Sequence, residues 1–208
     1  WKEEFVRTPW AKVSLGTDYP VLYGNIIKGI DWFNGDFDYT KLEVAVSDRL
    51  QVIGLGKTEI KLTGGLARGG VPAFNLYNGH GSFGSRFNIY ARNSFATMGL
   101  SEFLANRFVS VYFRQGFQSL LFRQNSFHPR LIAVNNIGWG WLDDPQNHQG
   151  IESQSFEQGY FETGLMVEDF LRTHLFSYGF GVFYRYGPYG FDNFSTNLAY
   201  KIAIGFNL

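Results

Sequence analysis

The chain has 208 residues, 18 basic against 18 acidic side chains, and no cysteine. Phe, Tyr and Trp make up 19% of it, glycine contributes 25 residues, and only 17% is charged, against about 25% charged in an ordinary soluble domain. This balance excludes nucleic-acid binding through bulk charge, a disulfide scaffold, a zinc–thiolate centre and a thiol nucleophile, and an apolar content of 45% argues against disorder.

The length suits a single domain over residues 1–208. No window approaches the run of about 18 apolar residues that a membrane-crossing helix needs. The chain opens on Trp1-Lys2-Glu3-Glu4 with no initiator Met, as expected of a processed product or part of something longer. Taken in order, the first turn signal is Gly35-Asp36. In residues 40–50, Leu42, Val44 and Val46 then alternate with Lys41, Glu43, Ala45 and Ser47. In residues 55–66, Ile60 and Leu62 alternate with Glu59, Lys61 and Thr63, and Gly69-Gly70 supplies a turn. Residues 74–85 read as a polar loop, and residues 101–106 as a short helical turn or the beginning of a strand.

Val109, Val111, Phe113 and Phe117 next alternate with Ser110, Tyr112, Arg114 and Gly116; residues 143–155 form a second polar loop. Phe176, Tyr178, Phe180, Val182, Tyr184 and Tyr186 alternate with Ser177, Gly179, Gly181, Phe183, Arg185 and Gly187. The last segment is the cleanest. Leu198, Tyr200, Ile202, Ile204, Phe206 and Leu208 share one face, with Ala199, Lys201, Ala203, Gly205 and Asn207 on the other.

The pattern predicts eight or nine antiparallel strands of about 9–13 residues, where about 9–11 tilted residues cross a bilayer. Alternation alone fits a soluble fold that buries its apolar face. It equally fits a barrel that turns that face to lipid and its charges inward. The aromatic excess, suited to interfacial girdles, and the apolar terminal strand favour the second. The expected fold is therefore all-β, an antiparallel transmembrane β-barrel of the outer-membrane type, either whole or the C-terminal strands of a larger one. Short turns would lie at one rim and longer loops at the other.

Several strings in order carry a family resemblance. They are Thr8-Pro9-Trp10, Phe37-Asp38-Tyr39-Thr40-Lys41-Leu42, Val71-Pro72, Glu102-Phe103-Leu104, Arg107-Phe108-Val109-Ser110, Gly138-Trp139-Gly140, Gly159-Tyr160-Phe161-Glu162-Thr163-Gly164 and Tyr184-Arg185-Tyr186-Gly187-Pro188-Tyr189. From about Thr8 to Leu208 the sequence resembles a Bacteroidetes outer-membrane family of unknown function. Its members carry an N-terminal carboxypeptidase-regulatory-like domain and a C-terminal β-barrel. The resemblance implies a bacterial outer-membrane location, upstream strands and domain before Trp1, and no catalytic residues to carry over. Residues 122–127 are shorter and more polar than the family's stretch there.

The expected lumen-facing polar residues are Lys41, Glu43, Lys57, Glu59, Lys61, Arg114, Glu162, Arg185 and Lys201, which with both signs present suit a packed or plugged interior. Gly181 and Gly187 would make room for Arg185. The expected lipid-facing residues are Tyr178, Phe180, Val182, Tyr184, Ile202, Ile204 and Phe206. His80 and Ser82 in a Gly-rich loop could form a base–nucleophile pair, and Asp143, Asp144, His148 and Glu152 could hold a divalent cation. A solvated loop is the favoured reading of each, and His128 and His174 read as structural. The expectation is a non-enzymatic subunit of an envelope assembly, with no metal and no cofactor. A passive or plugged channel and a lipid-modifying enzyme are the alternatives. Its partners would be outer-membrane lipids and other outer-membrane or periplasmic proteins, not nucleic acid.

Overall fold

A computed structural model describes residues 3–8, 10–17, 19–32, 37–84, 87–117, 129–143 and 154–206. The alternating segments are all strands. A hairpin of β1 (Glu3–Arg7) and β2 (Lys12–Thr17) precedes β3 (Val21–Gly29), β4 (Tyr39–Val52) and β5 (Gly56–Gly69). Three short strands follow, β6 (Gly81–Phe83), β7 (Phe87–Ile89) and β8 (Phe95–Gly99). Then come β9 (Arg107–Phe117), β10 (Arg130–Trp141), β11 (Tyr160–Arg172), β12 (Phe176–Tyr186) and β13 (Leu198–Phe206). The protein is all-β and dominated by a nine-stranded sheet in the order β3-β4-β5-β9-β10-β11-β12-β13-β7. Its pairs are antiparallel except β13 with β7, and β6 and β8 form a separate parallel pair. Among the described residues the sheet has two edges, β3 and β7, and β3 does not pair with β13.

From β3 to β13 each long strand lies beside its chain neighbour, which is the up-and-down order that antiparallel turns allow. The exception is the step from β5 to β9. These two strands pair directly, from Gly56 opposite Phe117 to Leu66 opposite Arg107, so residues 70–106 leave the sheet and return to it. The connections at residues 53–55 and 173–175 are short and lie at one end of the sheet, where β9 also ends and β10 begins across residues 118–129, whereas those at 30–38, 142–159 and 187–197 lie at the other.

The register gives the two faces opposite characters. Ser47, Lys61, Tyr112, Asn136, Glu162 and Arg185 are aligned across six strands, from β4 to β12. The row one residue away is Val46, Leu62, Val111, Ile137, Phe161 and Tyr186. The polar row is the covered one. What covers it is the segment 70–106, whose Val71, Leu76, Tyr77, Phe95, Met98, Phe103, Leu104 and Ala105 pack with Phe108, Tyr112, Phe156 and Tyr160. A second cluster joins Ala96 to Ile132, Val134, Met166, Phe183 and Ala199.

Two segments outside the alternating strands carry buried side chains. Residues 74–85 are no solvated loop, because Leu76 and Tyr77 are buried and Tyr77 bridges to Ala105. The glycines there admit close packing: a Cβ on Gly79 would meet Met98 Sδ at 2.6 Å. Residues 101–106 are neither helical nor part of a strand; they carry buried Phe103, Leu104 and Ala105, held by bridges to Gln154 and Tyr77. Gly69 does turn the chain, at φ +96°, where β5 ends, while Gly35-Asp36 and residues 122–127 lie outside the described residues.

Size complementarity sets the inner packing. Gly164 lies opposite Phe183, and a Cβ there would strike that ring. Gly181 likewise makes room for Met166 and Phe183, and Gly187 for Phe161, rather than for Arg185 as the sequence suggested. Gly164→Ala is expected to destabilise the fold by about 1–3 kcal/mol through overpacking. Denaturant midpoints of the two chains measure this, and adding Phe183→Leu to Gly164→Ala should recover part of the loss.

Candidate functional site

The interior is organised by side chains of the sheet that hold the backbone of the 70–106 insert. Alternation turns Tyr160, Glu162, Gly164 and Met166 of β11 inward. Glu162 is 0% exposed. Its Oε1 accepts from the Ala96 amide at 2.9 Å and Asn136 Nδ2 at 2.7 Å, and its Oε2 accepts from the Thr97 amide at 2.9 Å and Thr97 Oγ1 at 2.7 Å. A fully buried carboxylate is tolerable only when its lone pairs are met in this way. The arrangement pins β8 to the middle of the sheet.

Other inward side chains repeat the device. Lys201, 1% exposed, donates to the Ser82 carbonyl at 2.8 Å with its ammonium 5.8 Å from the Phe83 ring centre. Lys41 donates to the Asn75 carbonyl at 2.9 Å and sits 4.1 Å from the Tyr77 ring centre, while Tyr77 Oη donates back to the Leu42 carbonyl at 2.8 Å. Asn136 also reaches the Ser94 carbonyl at 3.2 Å. Arg185 Nη1 meets Glu102 Oε1 at 2.7 Å, its guanidinium 4.8 Å from the Tyr160 ring centre and 4.6 Å from that of Phe191. The insert is thus held at 75, 82, 94, 96–97 and 102.

At the short-turn end the interior becomes a charged chamber. Glu59 is shared by Arg49, Arg92 and Arg114 at 3.7, 3.7 and 3.6 Å. Glu168 pairs closely with Arg114 and at 3.3 Å with Arg130, which also meets Asp169 at 2.7 Å. Two cavities of about 440 and 630 Å³ open here, both lined by Tyr90 and Arg92.

Of the residues singled out from sequence, Lys41, Arg114, Glu162, Arg185 and Lys201 make the contacts above or the chamber's ion pairs. Glu43, Glu59 and Lys61 are half-buried on the same face, and Lys57 is exposed at the start of β5 in their alternation. On the other face, Phe180, Val182, Ile202 and Ile204 are exposed and Tyr178 and Tyr184 half-buried, Tyr184 against Phe194 with ring centres 5.1 Å apart. The Phe206 side chain lies outside the described residues.

Sequence reasoning missed Asn136, Glu168, Asp169, Arg130, Arg92 and Glu102. Asn136 and Glu168 carried the alternation signal. Asp169 carried none, because a register shift between Val167 and Leu171 and its own φ of +55° turn it inward out of phase. Arg92 and Glu102 belong to the insert, which has no period.

His80 and Ser82 are not hydrogen-bonded to each other. Ser82 Oγ donates to the Phe95 carbonyl at 3.0 Å, and the buried His80 Nδ1 has no hydrogen-bond partner among the described residues, while its ring lies 5.3 Å from that of Phe108. Asp143 pairs with Arg107 at 3.2 Å; Asp144, His148, Glu152 and His128 lie outside the described residues. His174 sits exposed in the β11–β12 turn. No group of three or more metal-ligating side chains occurs among the described residues.

Burial holds the His80 imidazole below its ordinary range, reinforced by Lys61 and Lys41 and opposed by Glu43. The unfolded chain therefore binds a proton at a pH where folded His80 does not, so stability is lost as pH falls below about 6.5. His80→Gln should flatten this part of the dependence, as unfolding midpoints between pH 7 and 5 would reveal.

No curated protein and no solved structure matches this chain. A family model described as the C-terminal domain of a family of unknown function (DUF5686) matches residues 1–124, from β1 through β9 and including the insert, while β10 to β13 lie beyond the match. The match covers more than half of the chain, and the protein belongs to this family.

Proposed function

We propose that this chain is a transmembrane β-barrel of the bacterial outer membrane, filled by its own 70–106 segment, that acts as a non-enzymatic structural or accessory subunit of an envelope assembly. The observation that carries the reading is the pair of adjacent rows across the sheet. Ser47, Lys61, Tyr112, Asn136, Glu162 and Arg185 face the insert, while Val46, Leu62, Val111, Ile137, Phe161 and Tyr186 face away from it. Soluble proteins bury the apolar set and expose the charged one. Here Leu165 is 60% and Phe180 50% exposed, beside Ile60, Leu62, Val182, Ile202 and Ile204, while Glu162 and Lys201 are buried. So continuous an apolar surface is rare on a soluble monomer, and hydrocarbon is the solvent it suits.

In this reading the end with the turns at 53–55 and 173–175 faces the periplasm, together with the longer β9–β10 connection, and the connections at 30–38, 142–159 and 187–197 face outward. The sheet is all of the barrel or the C-terminal strands of a larger one. The resemblance to a Bacteroidetes family with a periplasmic carboxypeptidase-regulatory-like domain points to outer-membrane biogenesis or export as the setting, which is analogy of architecture rather than of site chemistry. The filled interior favours a scaffold over an open pore. Cell fractionation followed by electrophoresis with and without boiling tests the core of the proposal. Recovery in the outer-membrane fraction with a boiling-dependent shift is expected, and a soluble, unshifted protein would overturn it. Mild-detergent pull-downs should recover envelope partners. Steady conductance of the intact chain in planar bilayers would instead select the channel.

A further inference from the structure

The chamber at the short-turn end holds more cationic groups than its carboxylates satisfy. Arg114 and Arg130 take up Glu168, and Arg130 also holds Asp169. Arg92 is left with a 3.7 Å approach to a Glu59 already shared with two other arginines, and Arg172 makes no ion pair among the described residues. Both line the 630 Å³ cavity, together with the hydroxyl-bearing Ser177 and Tyr178 and with Glu168 and Asp169, whose carboxylates are met by Arg130 in the same wall. One guanidinium without an ion pair among the described residues and a second held only by a 3.7 Å approach to a shared carboxylate, flanked by hydroxyl donors, suit the oxygens of a phosphate group.

The position of the cavity narrows the ligand further. Its wall includes Gly179 and Gly205 of the inner face and Ile204 of the outer face, so it opens where β12 begins and β13 ends, beside the apolar surface. A ligand seated there would place its phosphate between Arg92 and Arg172 and any hydrocarbon along Ile204 and its neighbours. We propose that Arg92 and Arg172 form a phosphate-binding site at this rim whose natural occupant is the headgroup of an anionic phospholipid. The choice of lipid rests on the membrane reading above; the phosphate chemistry does not.

The experiment uses the full chain in neutral detergent. One arm measures retention of phosphatidylglycerol against phosphatidylcholine of identical acyl chains through gel filtration, and the other titrates inorganic phosphate calorimetrically. Each is repeated on Arg92→Ala/Arg172→Ala and on Arg68→Ala, a charge control at the far end of β5, with the boiling shift verifying folding. Expected is selective retention of phosphatidylglycerol that weakens about tenfold or more in the double variant and is unchanged in Arg68→Ala. Phosphate binding lost in the double variant, without any lipid preference, would support the site and assign it a soluble phosphate. Binding in neither arm, or equal binding by the double variant and Arg68→Ala, would overturn it. Because the calorimetric arm needs no membrane, a protein that proved soluble would leave the site still decided.

Discussion

Glu162→Leu is expected to free the insert from the sheet and to cost about 3–5 kcal/mol, the range for breaking a buried charged network from one side. The mutation removes one carboxylate but takes an acceptor from four donors. The Ala96 and Thr97 amides, the Thr97 hydroxyl and the Asn136 side-chain amide each lose it beside a side chain that is 0% exposed. Each stranded donor costs about 1–3 kcal/mol, so the estimate does not assume that the losses add in full. For a chain of this length the temperature at which the folded band disappears on a gel should fall by roughly 10 °C. Limited proteolysis should find new cleavage between residues 70 and 106. Glu162→Gln keeps the shape and one acceptor oxygen but turns an amide donor toward the other donors, so it should fall between the two. A Glu162→Leu chain as stable and protease-resistant as the parent would mean that the insert is held by apolar packing alone.

Leu165→Arg places a charge at the middle of β11 on the outer face, where the parent side chain is 60% exposed. The two possible solvents give very different costs. In water an exposed strand position accepts arginine within about 0.5 kcal/mol. At the midplane of a bilayer the same change costs about 2–4 kcal/mol, because the guanidinium loses its hydration and finds no partner. Denaturant unfolding in phospholipid vesicles should give the larger figure. Thr63→Arg, a substitution on the buried inner face, should be harmful in either solvent, since Thr63 is 2% exposed and the longer side chain has no space. A neutral Leu165→Arg alongside a damaging Thr63→Arg would place the outer face in water.

The long strands were legible because a period of two survives any environment. Leu42, Val44 and Val46 against Lys41, Glu43 and Ala45 name a strand and its two faces from chain geometry alone, and β4, β5, β9, β12 and β13 appear where the alternation places them. The same pattern named Glu162, Arg185 and Lys201 as one inward set. The insert resisted reading for the opposite reason. Residues 70–106 use short strands, turns and isolated bridges, so no period records which side chains are buried, and glycines at 79 and 81 that looked like loop punctuation are close-packing sites.

By itself, then, the sequence determined the long alternating strands and which of their residues share a face, since these follow from side-chain direction in an extended chain. Only the tertiary structure decided that Glu162 meets Ala96 and Thr97, 66 and 65 residues away in sequence, that Lys201 reaches Ser82 across 119, and that Arg92 joins Arg172 around one cavity. Such contacts depend on how an aperiodic segment folds back across a sheet. Local alternation carries no information about that path, because a hydrogen bond made by a buried side chain fixes its partner in space and not in sequence.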